Sequence, residues 1–496
     1  MLLVAAAGVA LLALVPLLFV VASAVGLGAG GTWRLVVRPR TGELLSNTAR
    51  LVVACVLISA VLGTAAAWLV ERTDLPGRRA WNALLVAPLA VPAFVNSFGW
   101  VSLTPRVENY GGALLVVTLS YYPFVYLPVA ATLRGLDPAL EETAQALGHG
   151  PWRSFGRVVL PQLRPALLGG GLLVGLHLLS EFGALQLLRF PTFTTAIYDQ
   201  YRSTFNGPAA NALAGVLVLC CLLLLVVELR LRGRSRYSRV GAGAARAAVP
   251  VPLRRATVPT LLGLGLVVLL AVGVPLASLL RWLVEGSSVA FPVGRLAAAA
   301  GTTVGLAVAA AALTSLLALP VAWLSVRHRG RASTVVERCT YFGGALPGIV
   351  VALALVTVTL RFAQPAYQTT GLLLVAYAVL FLPRAVVSQR AAAAQAPPLL
   401  DDVAHALGAG PLATLRRVTL PLLAPGVGAG AALVFLAVVT ELTSTLLLSP
   451  IGTHTLATEF WRGSSSIEYG AAAPYAALMV AISGPATYLL TRAATR

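Results

Sequence analysis

Two carboxylates, Glu181 and Glu441, are the residues best placed for chemistry, because each lies inside an apolar run where an ionised group is expensive and must face protein or water. Each follows another acid at the same distance: Glu181 lies 39 residues after Glu142, and Glu441 lies 39 after Asp402 (181 − 142; 441 − 402). Carboxylates so placed suit the holding or steering of a cation, provided that binding stays weak enough for release. Two structural alternatives stand beside this: each acid sits in water near the outer end of its span, or it caps a broken helix. His177 has no counterpart, since Ala437 takes its place, and it reads as a hydrogen-bonded interior residue. No nucleophile–base pair is spelled out, and no metal site is assigned. The five histidines are scattered, and Cys55, Cys220, Cys221 and Cys339 lie in or beside apolar runs without ligand spacing, as small buried hydrophobes do. All 36 basic residues are Arg, which removes a P-loop lysine and a Schiff-base lysine from consideration, so ATP chemistry must come from another chain.

The elements that position these acids follow from composition. With 58% hydrophobic and 11% charged residues in 496, and a mean hydropathy of +0.86, the chain cannot surround a water-soluble core of this size with charge. It is expected to be an all-α polytopic membrane protein. The net charge of +19 does not point to nucleic acid, because the arginines cluster in short segments between apolar runs, as cytoplasmic loops require. Spans are expected at Leu2–Val25, Thr48–Val70, Asn82–Leu103, Gly112–Leu133, Pro165–Leu188 and Asn211–Leu231. A second set follows at Val258–Val284, Ala298–Ser325, Glu337–Leu360, Thr370–Ser388, Pro425–Leu448 and Ala471–Thr491. Asn47 to Trp68 aligns with Thr302 to Trp323 at an offset of 255, a register we extend to the pairs Pro92/Pro347 and Pro128/Pro383, and a five-residue insertion raises the offset to 260 before the second polar loop. The chain therefore reads as about twelve helices in two homologous six-helix units with a pseudo-two-fold axis. The units are 1–229 and 258–496, joined by a basic linker, 230–257. Under such symmetry Glu181 and Glu441 would face across one central passage. Pro88, Pro92 and Pro347 fall inside spans, where they kink helices or simply pack. Arginine-bearing loops (Arg72, Arg78 and Arg79; Arg134, Arg153, Arg157 and Arg164; Arg327, Arg329, Arg331 and Arg338; Arg384, Arg390, Arg416 and Arg417) place one side, both termini and the linker in the cytoplasm. The loop with Arg34, Arg38 and Arg40 against Glu43 is the one discordant segment.

Two polar loops, 137–162 and 397–422, repeat each other without a gap. In the first, Asp137 is a suitable N-cap, Pro138 suits a first helical position, and Glu141 and Glu142 lie where the helix dipole favours negative charge. Leu140, Ala144 and Leu147 give one apolar face; Gly148 and Gly150 open the chain; Pro151 restarts a helix with Trp152 and Phe155 on one side; Pro161 ends it. The product is a helical elbow that offers an apolar ridge to a partner, against the alternative of an amphipathic connector on the bilayer surface.

The elbow resembles the E-A-A-x3-G-x9-I-x-L-P loop of binding-protein-dependent ABC importer permeases. Glu142, Ala144, Gly148, Leu160 and Pro161 match it, and Asp402, Ala404, Gly408, Leu420 and Pro421 keep its spacing with Asp for Glu. The segments ERTDLPGR, SYYPFVYLP and LRGLDPALEE are similar to those of the ferric-iron permeases, which also occur as fused two-unit chains; thiamine permeases share the fused form, and polyamine and sulfate permeases share the elbow. The resemblance implies a transport subunit rather than an enzyme, binding no cofactor itself. Its partners would be two copies of a cytoplasmic ATPase that bind ATP and magnesium, and an extracytoplasmic solute-binding protein. It would sit in the cytoplasmic membrane of a prokaryote, with Glu181 and Glu441 on the translocation pathway and ferric iron as the favoured cargo. A secondary transporter is the alternative from another class, though it has no need of a repeated elbow.

Overall fold

An apolar chain in a bilayer must satisfy its backbone within each segment, and helix is the local solution. The computed structural model describes residues 2–26, 38–202, 207–232, 250–286, 293–328, 330–397 and 399–494, and within these leaves aside a few side chains, that of Asp402 among them. The first repeat comprises α1 (Leu2–Gly26), α2 (Pro39–Arg72), α3 (Arg78–Val86), α4 (Ala93–Leu103), α5 (Tyr110–Tyr121), α6 (Pro123–Gly135), α7 (Ala139–Ala146), α8 (Pro151–Ser154), α9 (Leu160–Ser180), α10 (Gly183–Leu187), α11 (Phe193–Arg202) and α12 (Gly207–Arg232). The second comprises α13 (Thr257–Val268), α14 (Val274–Glu285), α15 (Val293–Arg327), α16 (Arg331–Ala345), α17 (Gly348–Phe362), α18 (Thr370–Gln395), α19 (Leu399–Ala406), α20 (Pro411–Thr414), α21 (Leu420–Val439), α22 (Thr443–Leu448), α23 (Leu456–Ser465) and α24 (Tyr469–Ala494).

Among the described residues nine helices are long and apolar enough to cross a membrane, and two bent pairs bring the number to eleven. The 26-residue α24 makes the twelfth helix of the expected pattern. The bent pairs turn by 88° and 104°, at Pro92 before α4 and Pro347 before α17, so these prolines mark breaks where the preceding helix cannot continue.

Packing groups the chain into two units that exchange the first helix of each repeat. One is Pro39–Ala196, Leu219–Val289 and Val480–Arg496; the other is Met1–Arg38, Ile197–Val218 and Ala290–Met479. In the former, α14 packs on α4: a Cβ added at Gly99 would stand 2.6 Å from Pro275 Cα, and Ser102 Oγ lies 2.8 Å from Ser278 Oγ. In the latter, α1 packs on α15, α16 and α17.

Close glycine contacts bring helices together inside each unit, as small residues do in membranes, and they also fix the repeat register. Gly170 on α9 meets Val125 Cα at 2.8 Å, and Gly430 on α21 meets Ala385 Cα at 3.2 Å, each measured from an added Cβ. Both glycines and both partners are 260 apart, so Pro383 corresponds to Pro123 and not to Pro128. The five-residue insertion lies earlier than the sequence alignment placed it, between α17's start and α18, where α17 has 15 residues against 11 in α4. A second correction concerns Arg384, grouped above with the loop arginines: it lies inside α18, eleven residues before its end, and its guanidinium stacks 5.0 Å from the Phe381 ring. Of the basic segments, residues 27–37, 233–249 and Arg329 lie outside the described residues, Arg34, Arg234, Arg236, Arg239 and Arg246 with them.

Candidate functional site

The first elbow begins where Asp137 Oδ1 accepts a hydrogen bond from Ala139 N at 3.0 Å, and α7 follows with Glu141 and Glu142 in its first turn. It closes with Gly148 N donating to Gln145 O at 2.9 Å and His149 N to Ala144 O at 3.0 Å, a closure that holds Gly148 at φ +82°. A Cβ at Gly148 would meet nothing within 4 Å, so backbone conformation and not space calls for glycine there. Gly408 repeats this with φ +82° and Ala409 N donating to Ala404 O at 3.0 Å. Gly150 has no left-handed backbone.

Downstream the expectation fails. Pro161 does not end a helix: α8 passes through a π turn, Phe155–Val159, straight into α9, with Leu160 N donating to Phe155 O. The wider turn tolerates the missing proline donor at the first residues of α9, and Leu415–Thr419 does the same before Pro421. The fifth span therefore starts at Trp152 and is one piece with the elbow.

The elbow's faces divide sharply. Ala144 and Ala404 are buried, and Phe155 turns inward to meet Trp68 edge-on at 5.1 Å. Glu142 is exposed, Leu160 and Leu420 are exposed, Pro161 is half-buried and Pro421 exposed. Leu147 is 76% exposed, Leu407 82% and Trp152 87%, so Leu147 and Trp152 do not share the buried side with Ala144 and Phe155. These apolar side chains form the ridge.

Glu141, which the sequence reading left as helix-dipole charge, anchors α7. Its Oε1 lies 2.9 Å from Arg72 Nη2, both side chains largely buried. Burial pushes the Glu141 carboxyl above the usual carboxylate range, and Arg72 pulls it partly back. Arg134 pairs with Glu71 at 3.2 Å beside it. The end of the linker joins the same cluster: Val251 N donates to Arg72 O at 2.8 Å, Asp74 N to Val251 O at 3.2 Å, and Leu253 N to Asp74 Oδ1 at 2.8 Å. The signal present in the sequence was two adjacent acids in α7, which a helix projects about 100° apart, so that one can meet a buried partner while the other faces out.

The two membrane carboxylates stand at helix breaks. Pro165–Leu188 and Pro425–Leu448, read as continuous spans, are interrupted: α9 stops at Ser180 and α10 starts at Gly183, while α21 stops at Val439 and α22 starts at Thr443. Glu181 Oε1 accepts from Ala184 N at 2.9 Å, and Glu441 Oε1 accepts from Ser444 N at 2.9 Å, so each side chain caps the helix that follows. The capping alternative thus describes both acids. Their other contacts differ. Glu181 Oε2 accepts from the Tyr121 hydroxyl, and Thr194 Oγ1 donates to Glu181 O at 2.6 Å. Glu441 interacts electrostatically with Arg384, and Thr445 Oγ1, itself 2.6 Å from Tyr377 Oη, donates to Glu441 O at 2.8 Å. Both acids keep part of their surface open. Among the described residues no three His, Cys, Asp or Glu side chains gather as metal ligands.

Residues 76–236 and 314–495 match the family described as binding-protein-dependent transport system inner membrane component. The chain is 38% identical over 481 residues, 96% of its length and 95% of the relative's, to the Fe(3+)-transport system permease protein FbpB 2 of Haemophilus influenzae. It is 30% identical over 235 residues to the sulfate transport system permease protein CysT of Escherichia coli, covering 43% of this chain and 85% of that one. A CysW sulfate permease of Synechocystis is 29% identical over 204 residues, 35% of this chain and 73% of the relative. Two matched segments, a repeat that spans the chain and a helical membrane fold agree: the chain belongs to the binding-protein-dependent ABC importer permeases, as a fused two-unit member.

Proposed function

We propose that the chain conducts ferric iron across the cytoplasmic membrane of a prokaryote, with both termini and both elbows on the cytoplasmic side. An extracytoplasmic binding protein delivers the cargo, and two copies of an ATPase subunit, which hold ATP and magnesium, dock on the ridges at 137–162 and 397–422. Glu142, Gly148 and the matching Asp402 and Gly408 serve that docking; the side chain of Asp402 itself lies outside the described residues. The observation that carries the cargo is similarity along nearly the whole chain to a permease named for Fe(3+) transport. The sulfate permeases align with less than half of it. An acidic side chain at the break of each span also suits a hard cation with oxygen-ligand preference better than an anion.

The capping geometry makes a clean test possible. Gln in place of Glu181 and Glu441 removes the charge and keeps an acceptor for the capped N–H, so helix breaks and assembly should survive. Radiolabelled ferric uptake should fall in the double Gln variant while ATPase association is unchanged. Normal uptake in that variant would refute the carboxylate role.

A further inference from the structure

The two repeats place equivalent carboxylates in unlike surroundings, and the differences are chemical. With the register fixed at 260, Tyr121 corresponds to Phe381, Phe124 to Arg384, and His177 to Ala437. Around Glu181 the first repeat gathers a phenol hydrogen-bonded to the carboxylate and an imidazole whose ring stands 5.9 Å from the Tyr121 ring and 4.3 Å from that of Phe124. His177 Nδ1 lies 2.9 Å from Leu173 O, one turn back on α9. A carbonyl partner fixes the proton on Nδ1 and puts the ring's lone pair on Nε2, the tautomer a metal ligand needs. Glu181 uses one lone pair of Oε1 for Ala184 N and one of Oε2 for the phenol, and a carboxylate has about four such sites, so it retains acceptor capacity. The second repeat keeps the carboxylate, and Phe381 and Ala437 stand where the first repeat has the phenol and the imidazole.

We propose that the first repeat alone carries a transit site for the cargo cation, formed by Glu181, Tyr121 and His177. The proposal rests on the ferric-iron reading given above. A carboxylate, a phenolate and an imidazole form a donor set suited to ferric iron: two hard anionic oxygens and one nitrogen. On coordination the metal displaces the Tyr121 phenol proton, which leaves along its hydrogen bond by way of the partly exposed Glu181 carboxylate to water, and the phenol oxygen exchanges that hydrogen bond for the metal. A site with three protein donors is looser than a closed structural one, and conduction needs that looseness. His177, read from the sequence as an interior residue, becomes a ligand because of what lies one ring away.

Tyr121→Phe and His177→Ala introduce the residues that the second repeat itself carries, so each is already tolerated at an equivalent position. Purified full-length permease in nanodiscs is titrated with ferric nitrilotriacetate, and visible absorption is followed for the phenolate-to-iron charge-transfer band. The wild type should show the band; Tyr121→Phe should lose it; His177→Ala should keep it with binding weakened on the order of tenfold or more. Melting temperature and ATPase association serve as fold controls. A wild type that imports iron with its ATPase and binding protein but gives no band overturns the site and leaves the importer reading intact, and so does a band that persists in Tyr121→Phe. A wild type that gives the band but imports sulfate or thiamine and no iron overturns the cargo assignment on which the site's role depends.

Discussion

Removing Arg72 tests how α7 is held. The Arg72–Glu141 pair is 2.9 Å long and mostly shielded from water, so Arg72→Met leaves an acid buried without its cation. Breaking such a pair from one side costs about 3–5 kcal/mol; the lower figure suits Glu141, which keeps some exposure and can take up a proton. About 3 kcal/mol is roughly a hundredfold change in the balance between docked and released α7. The sign with pH follows from the carboxyl being raised in the docked state: it binds a proton more tightly docked than released, so its contribution favours docking as pH falls and opposes docking as pH rises. Arg72 is the interaction that lowers it, so its loss moves the sensitive window upward. Arg72→Met should therefore accelerate proteolysis within 147–151 and uncouple ATP hydrolysis from uptake, more at high pH than at low. Arg72→Met with Glu141→Met removes both charges and should recover most of the docking. If the single and double variants are equally uncoupled, or if pH has the opposite effect, the anchoring role is wrong.

Other expectations follow from named contacts. Gly148→Ala and Gly408→Ala meet no neighbouring atom but place a Cβ at φ +82°, a strain on the order of 1–2 kcal/mol, and should lower uptake while the permease still inserts; wild-type uptake in both would make the elbow a mere connector. Gly99→Val forces a side chain into Pro275 of α14 and should lower thermal stability by about 1–3 kcal/mol, read as an earlier melt in detergent, whereas Gly263→Val on α13, with nothing within 4 Å of its added Cβ, should not. Asp74→Ala frees the linker's Leu253 N and should raise protease sensitivity at 250–256 without loss of insertion. Single cysteines in the 230–255 linker and in the 190–207 segment should label from opposite sides of the membrane; labelling of both by an impermeant reagent from outside would reverse the topology.

Helix number and the repeat were legible because length and hydropathy alone dictate spans, and because Gly148 and Gly408 must be glycine for a backbone reason that spacing exposes. Span ends were not. Pro161 looks like a stop until the π turn before it supplies room, and the break of α9 at Glu181 was legible only as one alternative, an acid capping a broken helix. Arg384 was grouped with the loop arginines by its charge although it falls within the expected span Thr370–Ser388, and the Gly170 and Gly430 contacts fix the register of that span. The exchange of first helices between packing units is a long-range outcome that local pattern does not encode. Glu142 drew notice through its resemblance, while its neighbour Glu141 holds the structural contact.

The most direct measurement is ATP hydrolysis and solute uptake by the permease reconstituted in liposomes with its ATPase and binding protein, presented in turn with ferric iron, thiamine, a polyamine and sulfate. Iron-loaded binding protein should stimulate hydrolysis and drive iron inward, with both effects lost in Gly148→Leu together with Gly408→Leu. Stimulation by another solute with no iron uptake would contradict the account.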